Sequence, residues 1–499
     1  MDATLSKVEK ILVSISNTVN PLFVLGGFVR DFLLKRKTAA FDLDCATPLS
    51  IERLKELLPA SFFASSKEQT LNVIRENIQV EITPFRGPTL QDDLENRDLT
   101  INSIAFPVEQ GKLLLDSAVD PTGGREDLHF GVLRCWSEKN LLDDPLRMLR
   151  VFRFQAQLGF EIEAQTWGWI GKNRHRISST SLERVVKEMD LLLQGEFATM
   201  ALRSCTASGL LQTLFPECIP LANFRHGDKH HHGETVLEHS FRVVQNCPKD
   251  ATFRWAALLH DMGKPAAFDP VTRRYIDHDR LGLPLQEKLL LRLPLSQERI
   301  RKILFLCEHH MFPIESLRKA RLMVLHHGFA RFQELMAFFL ADKCATHPFD
   351  NSDFRSTYDS LVETVSSEAH TLAQIQAQVR GQLLLDMGIP RGPWYSQILQ
   401  KTSEHFATQP KRFSPAALRR FLETEFLFSG SYPSFHFRDL QAQRVEEYVY
   451  GTSILGRLDP PVDFSAQRRV FSFRYVSDPG ALQKALDEHP FIPFFSAKK

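Results

Sequence analysis

Asp42 and Asp44 stand two positions apart in a stretch where Phe41, Leu43 and Cys45 take the intervening places. Side chains on an extended strand alternate between its two faces, so this spacing describes a strand with one apolar and one acidic face. Val80-Glu81-Ile82 repeats the pattern and predicts a second strand of the same kind. Few folds accept such strands: the apolar face must join a core while carboxylates crowd the other surface. Upstream, the apolar run Leu22 to Leu25 stops at Gly26-Gly27, and VRDFLLKRK follows with apolar and charged residues at helical spacing. That is a strand, a glycine turn and a helix. Together these segments predict a mixed α/β head of about 130 residues.

From about Leu142 the chain reads as helical. LRMLRVFRFQAQLGF and SLERVVKEMDLLL both place apolar residues at three- and four-residue steps, the period of a helix face. Histidines crowd a third helical segment from His226 to about His347. Short helical patterns broken by Pro and Gly then run to about Pro410, and the Phe-, Ser- and Arg-rich remainder closes with a strand-like RVFSFRYV and a helix-like PGALQKALDE. At 499 residues, three or four domains fit. With 61 Lys+Arg against 60 Asp+Glu there is no global attraction to nucleic acid, so phosphate binding has to come from locally placed arginines. No uncharged apolar run reaches the length of a membrane span, and the first residues lack a long apolar stretch followed by a cleavage site. No membrane association and no secretion are expected. The seven cysteines are odd in number, scattered and without a CxxC pair, which supports neither a disulfide framework nor a zinc ribbon and fits a reducing, cytoplasmic setting.

Two carboxylates on one strand face repel unless a cation or a proton lies between them. Oxygen-only ligation suits Mg²⁺, which binds through one or two carboxylates together with substrate phosphates. Asp42 and Asp44 therefore suit a two-metal phosphoryl transfer. Gly26-Gly27 lets backbone N–H groups approach phosphate oxygens at a helix start, and Arg30 adds a cation one turn later. These parts together describe a nucleotide site.

The run Leu25-Gly26-Gly27-Phe28-Val29-Arg30-Asp31, followed by Asp42-Leu43-Asp44 and Ala46-Thr47-Pro48, resembles the head signature of the class II tRNA nucleotidyltransferase and bacterial poly(A) polymerase family. The likeness continues through Asn96-Arg97-Asp98-Leu99-Thr100-Ile101-Asn102, Asp120-Pro121-Thr122-Gly123-Gly124 and Asp143-Asp144-Pro145-Leu146-Arg147 to Phe154. The resemblance implies that Asp42 and Asp44 hold Mg²⁺ with Glu81 assisting, that Gly26, Gly27 and Arg30 contact the triphosphate, and that Arg97, Asp98 and Asn102 hold phosphate and read the ribose. It further implies that Asp144 and Arg147 select the base, an acceptor and a bidentate donor copying Watson–Crick edges without a template, with Arg150 and Arg153 turned toward the phosphates. Two departures bear on the product. Only eleven positions separate Arg86 from Arg97, where the family commonly has a longer flexible loop that helps the switch from C to A; and no Gly-Arg-Arg-Phe-like run, expected of the poly(A) polymerases, precedes Glu81.

A second constellation follows. His239, the adjacent His260-Asp261 in WAALLHDMGKP, His278, His309-His310 and Asp342 in FLADK occur in order. Imidazoles with carboxylates bind divalent transition metals, and helices can close such a site. The series resembles the HD phosphohydrolase domain, which implies His239, His260, Asp261 and Asp342 as metal ligands and leaves His278, His309 and His310 as candidates for a second ion. His231, in the tract His230 to His232, is a candidate to face a substrate phosphate. Gly388 to Pro393 and WYSQILQKT resemble the element that holds a tRNA acceptor arm.

The resemblance thus implies an α+β chain. A polymerase-beta-like nucleotidyltransferase head (1–135) is followed by a helical, nucleotide- and RNA-binding neck (136–225), an HD domain (226–350), a helical tail (351–410) and an extension with no assigned role (411–499). The expected partners are tRNA, CTP and ATP, with Mg²⁺ at the transferase site and a divalent metal at the HD site. The expected reaction is addition of CMP, with or without the terminal AMP, to tRNA 3′ ends. Two alternatives stand beside it: a poly(A) polymerase, and an RNA-binding HD phosphohydrolase with a vestigial head.

Overall fold

The computed structural model describes residues 2–36, 42–58, 62–63, 70–75, 78–225, 234–346, 352–386 and 395–425, with short strands between 428 and 493. The chain forms two compact units, one of residues 1–311 with 337–348 and one of residues 312–336 with 349–499.

The first unit opens with α1 (Asp2–Ser16), β1 (Leu22–Leu25), α2 (Gly27–Leu33), β2 (Leu43–Thr47), α3 (Ile51–Leu57), β3 (Phe62–Phe63), β4 (Leu71–Arg75) and β5 (Ile78–Pro84). After α4 (Leu90–Glu95) come β6 (Ala105–Glu109), β7 (Lys112–Leu113) and α5 (Gly124–Phe130). The seven strands make one sheet in the order β3-β4-β5-β2-β1-β6-β7. Only β2 and β5 run parallel, with Leu43 opposite Val80, Asp44 opposite Glu81 and Cys45 opposite Ile82. The apolar partners are all buried, so the core fixes the register, and a slip of one residue would send the carboxylates inward. Asp42 lies one residue before β2 rather than inside it.

Helices follow: α6 (Glu138–Asp143), α7 (Leu146–Leu158), α8 (Ala164–Asn173), α9 (Leu182–Leu193), α10 (Ala198–Ala207), α11 (Leu210–Leu214) and α12 (Ile219–Asn223). On α7, Leu146, Leu149, Val151, Phe152 and Ala156 are buried, and α9 buries Val185, Val186, Met189 and Leu192. Gly159 ends α7 in a left-handed conformation that a glycine takes without strain. The histidine-bearing helices α13 (Val236–Asn246), α14 (Ala251–Leu259), α15 (Lys264–Ala267), α16 (His278–Arg292) and α17 (Gln297–His309) complete this unit, with the Asp342 end of a later helix. Side chains cap several of them: Thr235 accepts from Glu238 N, Asp250 from Thr252 and Phe253 N, and Ser296 from Arg299 N, each satisfying an otherwise orphaned N–H.

The second unit holds α18 (Leu317–His327), the first part of α19 (Phe329–Thr346), α20 (Ser352–Gln378), α21 (Gly381–Asp386), α22 (Tyr395–Thr408) and α23 (Pro415–Glu425). Arg321 on α18 grips Glu368 on α20 with two 2.6 Å bonds and donates to Thr408 O at 2.8 Å. Of the closing RVFSFRYV, Ser472–Phe473 is a strand. His230 to His232, Gly388 to Pro393 and PGALQKALDE lie outside the described residues. No described helix is long and apolar enough to cross a membrane.

Candidate functional site

The acidic strand face and the glycine turn meet at one place. Asp44 and Glu81 are register neighbours on adjacent strands, so their side chains share a face. Gly26, at φ 73°, lies so close that a Cβ there would stand 2.6 Å from Asp44 Oδ2. Both its backbone angle and its missing side chain are needed for this approach. The Gly27 N–H, at the start of α2, donates to the Asp44 carboxylate. Burial raises the Asp44 carboxyl above its usual range and Asp42 adds to this, while Arg97, the Gly27 N–H and Arg150 pull the other way. Glu81 accepts from Gln79 Nε2 at 2.8 Å, and the same amide donates to Asn72 Oδ1 at 2.8 Å.

Most of the residues expected around the triphosphate form one connected network, from which Arg97 stands apart. Arg30 bonds Asp31 and donates to Asn102 Oδ1 at 2.9 Å; Asn102 donates to Asp98 Oδ1 at 3.1 Å; Arg150 donates to Asp98 Oδ2 at 2.9 and 2.6 Å. Burial alone would raise the Asp98 carboxyl, yet Arg150, the Asn102 bond and Arg147 hold it well below the carboxylate range. Glu188 on α9 receives Arg150 at 3.3 Å and Arg153 at 2.9 Å. The Phe154 ring carries Arg153 at 3.9 Å, Arg30 at 5.0 Å and Arg150 at 5.7 Å from its centroid. Burial, with Arg150 alongside, pulls the Arg153 guanidinium down to about 10, so it stays charged at neutral pH. Arg97 grips the fully buried Asp93 with bonds of 3.1 and 2.9 Å.

Asp144 and Arg147 sit at the turn between α6 and α7. Arg147 donates to Asn140 O at 3.0 Å and Arg97 O at 3.5 Å, while the Asp144 carboxylate is taken by Arg184 of α9.

The histidine cluster is buried. His239 Nε2 lies 3.0 Å from Asp342 Oδ1 and 3.7 Å from Asp261 Oδ2, and His260 Nε2 lies 3.1 Å from Asp261 Oδ2 and 3.6 Å from Asp342 Oδ1. On the other oxygen, Asp261 Oδ1 meets His278 Nε2 at 3.5 Å and His310 Nε2 at 3.7 Å. Asp261 therefore touches two three-membered groups, His239-His260-Asp261 and Asp261-His278-His310, each with ligand atoms within 4.8 Å. His310 enters and His309 does not: consecutive helical residues point about 100° apart, and His309 lies 3.9 Å from Glu308 with its ring on Phe305. Lys264 Nζ stands 2.7 Å from Asp261 Oδ2. Burial pulls His239 down to about 4 and His310 down to about 3. Burial opposes protonation of His260 too, but Asp261 and Asp342 outweigh it and raise that imidazole to about 10. Both buried Asp261 oxygens lack a well-formed hydrogen bond. Imidazoles and carboxylates gathered around such oxygens fit a divalent transition metal.

A Poly A polymerase head domain matches residues 22–134, and a probable RNA and SrmB-binding site of polymerase A matches residues 159–220. An A-adding tRNA nucleotidyltransferase of Deinococcus radiodurans is 30% identical over 400 residues, 76% of this chain and 90% of that protein. The chain belongs to the class II tRNA nucleotidyltransferase family. A CC-adding family member from Thermus thermophilus is 30% identical over 349 residues, 66% of this chain and 77% of its own. Among solved structures, a Bacillus stearothermophilus CCA-adding enzyme in complex with CTP aligns with TM-score 0.59 at 21% identity, covering 81% of this chain and 92% of that one. A Thermotoga maritima CCA-adding enzyme complexed with tRNA aligns with TM-score 0.54 at 20% identity, covering 85% and 96%. The α+β class and the family expected from the sequence both hold.

Against the family signature, sequence reading passed over Asp93, Glu188, Arg184 and Lys264 as site residues. A signal existed for Glu188: it stands three residues after Val185 and four before Leu192 on the apolar stripe of α9, a carboxylate where the helix pattern asks for a core residue. Asp93 and Arg97 were legible as an (i, i+4) pair at the end of α4, with Arg97 just beyond the helix. Arg184 carried no signal, because its partner is 40 residues away.

Proposed function

We propose that this chain is a template-independent tRNA nucleotidyltransferase that adds CMP to tRNA 3′ ends. The observation that carries the reading is the register pairing of Asp44 with Glu81 beneath the Gly26-Gly27 turn, with Asp42 close by. These carboxylates would hold Mg²⁺, which when bound activates the attacking 3′ hydroxyl and neutralises the triphosphate. The chain's own residues do the positioning. The N–H groups at the start of α2 approach phosphate, Arg30, Arg150 and Arg153 hold positive charge over it, and Asp98 with Asn102 receives the ribose hydroxyl. Asp144 and Arg147 read the base.

The link after β5 supports a reading limited to the two cytidines. It is ordered rather than loop-like: Phe85 N donates to Thr47 O at 2.9 Å, Arg86 N to Asp93 Oδ1 at 3.1 Å, and Thr89 forms a capping box with Asp92. Terminal AMP addition is the second reading, favoured by the 90% coverage of the A-adding relative. Asp42→Ala with Asp44→Ala is expected to abolish CMP incorporation into tRNA ending at the discriminator base; undiminished incorporation overturns the transferase reading. Supplying tRNA, tRNA-C, tRNA-CC and an unrelated RNA with CTP, ATP or both separates the products. Arrest after CC supports the shortened link as the cause, AMP on tRNA-CC supports the second reading, and tails on every RNA would indicate poly(A) synthesis.

The histidine centre supports a second activity. His239, His260, Asp261 and Asp342, with His278 and His310 on the far oxygen of Asp261, would hold divalent metal, which when bound lowers the pKa of water for attack on phosphate esters such as 2′,3′-cyclic phosphates. Lys264 holds Asp261 in place through its 2.7 Å ion pair. We place the enzyme in the cytoplasm, a reading supported by seven unpaired cysteines, six of them buried.

A further inference from the structure

The carboxylate given the base-reading role is already engaged in the structure. Asp144 Oδ1 accepts the Leu146 N–H at 3.3 Å. One guanidinium spans both of its oxygens, Arg184 Nη2 at 2.8 Å from Oδ2 and Nη1 at 3.2 Å from Oδ1. Arg184 stands in the first turn of α9, and that helix is fixed to α7 through Glu188 and its bonds to Arg150 and Arg153. The terminal torsion of an aspartate is broad, so nothing in the side chain itself settles the plane of its carboxylate. A planar two-pronged donor does settle it.

We propose that Arg184 is a specificity-determining residue of the transferase: it locks the plane of the Asp144 carboxylate so that the remaining acceptor position meets an incoming amino group and rejects a carbonyl. The inference rests on the base-reading role proposed above for Asp144. Cytosine and adenine carry an amino group at the ring position where uracil and guanine carry a carbonyl oxygen. An ionised carboxylate only accepts, and it has about four lone-pair sites. Two bonds from Arg184 and one from the Leu146 N–H leave about one site, whose direction the guanidinium dictates. A base with an amino group can fill it; a base with a carbonyl brings oxygen against oxygen. Without Arg184 the carboxylate can turn aside, and that repulsion is relieved. The ammonium of a lysine keeps the charge but loses the fork.

The test is kcat/KM for CTP and for UTP on tRNA ending at the discriminator base, with Mg²⁺, for the natural enzyme, Arg184→Ala, Arg184→Lys and Asp144→Asn. Arg184 is half exposed, so melting curves near that of the natural enzyme are expected for both of its variants. Arg184→Ala is expected to lower the CTP-to-UTP ratio about tenfold or more, chiefly through better use of UTP, with Arg184→Lys between the two. If Asp144→Asn changes base preference while Arg184→Ala slows both nucleotides equally, or neither, the Arg184 proposal is overturned and base reading by Asp144 stands. If Asp144→Asn leaves the preference intact, the base-reading role fails and this inference fails with it.

Discussion

A single hydrogen atom at Gly26 decides whether Asp44 keeps its place. Gly26→Ala would set a methyl group 2.6 Å from Asp44 Oδ2 on a backbone with φ 73°, a conformation that costs a side-chain-bearing residue about 1 kcal/mol or more. The carboxylate must give way, and a displacement of about 1 Å at a reacting centre costs on the order of 100-fold in rate. CMP incorporation by Gly26→Ala should fall by about that factor, whereas Gly27→Ala, where a Cβ would find only Arg30 Nη2 at 3.8 Å, should fall far less. Equal losses would show that the approach to Asp44 is not what the first glycine serves. Asp98 makes the same point about charge. Removing one partner of a buried pair costs about 3–5 kcal/mol, so Asp98→Asn should lower the urea-unfolding free energy at pH 7 by about 3 kcal/mol. Since Asp98 is held well below its unfolded value of about 3.9, its contribution is complete above that value. It is lost only as pH falls from that value through the much lower folded-state one, so the gap between the natural enzyme and the variant should begin to narrow below about pH 4 and most of it should remain at pH 3; a gap already closed at pH 3 would mean that the carboxylate is not held ionised by the fold.

Elements were easier to read than their partners. The glycine turn, the two acidic strands and the helices α7 and α9 followed from period and punctuation, because each signal lies within a few residues. The parallel pairing of β2 with β5 was not legible, since it depends on two segments separated in sequence by α3 and the strands β3 and β4. His309 shows the limit within one turn: sequence order puts it beside His310, and helical geometry turns it away. Element-scale stability can be tested at α4, whose capping box holds the start of the helix that carries Asp93. Thr89→Ala should cost about 1 kcal/mol in chemical denaturation, and the Arg97 grip on Asp93 should loosen with it, raising KM for CTP more than it lowers kcat. A fall in kcat with KM unchanged would show that the link does not serve nucleotide binding.

At the scale of the whole chain, two chemically different ligand sets should answer to different ions. Oxygen ligands at Asp42, Asp44 and Glu81 suit Mg²⁺, and the imidazole-rich centre suits a transition metal. After treatment with a chelator both activities should be lost. Mg²⁺ alone should then restore CMP addition, and Mn²⁺, Co²⁺ or Ni²⁺ should be required for phosphoesterase activity on a 2′,3′-cyclic phosphate. Recovery of both by Mg²⁺ would count against the separate centres. His260→Ala with Asp261→Ala should remove the second activity and spare nucleotide addition.

Helix α9 bears on whether those activities can be parted. Two residues beyond Glu188, Asp190 accepts Trp255 Nε1 at 2.7 Å and Arg299 at 2.7 Å on each oxygen, and the buried Arg254 donates to the Leu193 and Gly195 carbonyls. All three donors belong to the histidine-bearing helices. A chain cut short before α13 would keep every residue assigned to nucleotide transfer, yet would leave a carboxylate and two carbonyls stripped of their donors at the far end of the helix that steadies Arg150, Arg153 and Asp144. Cutting the gene there should yield no stable smaller transferase.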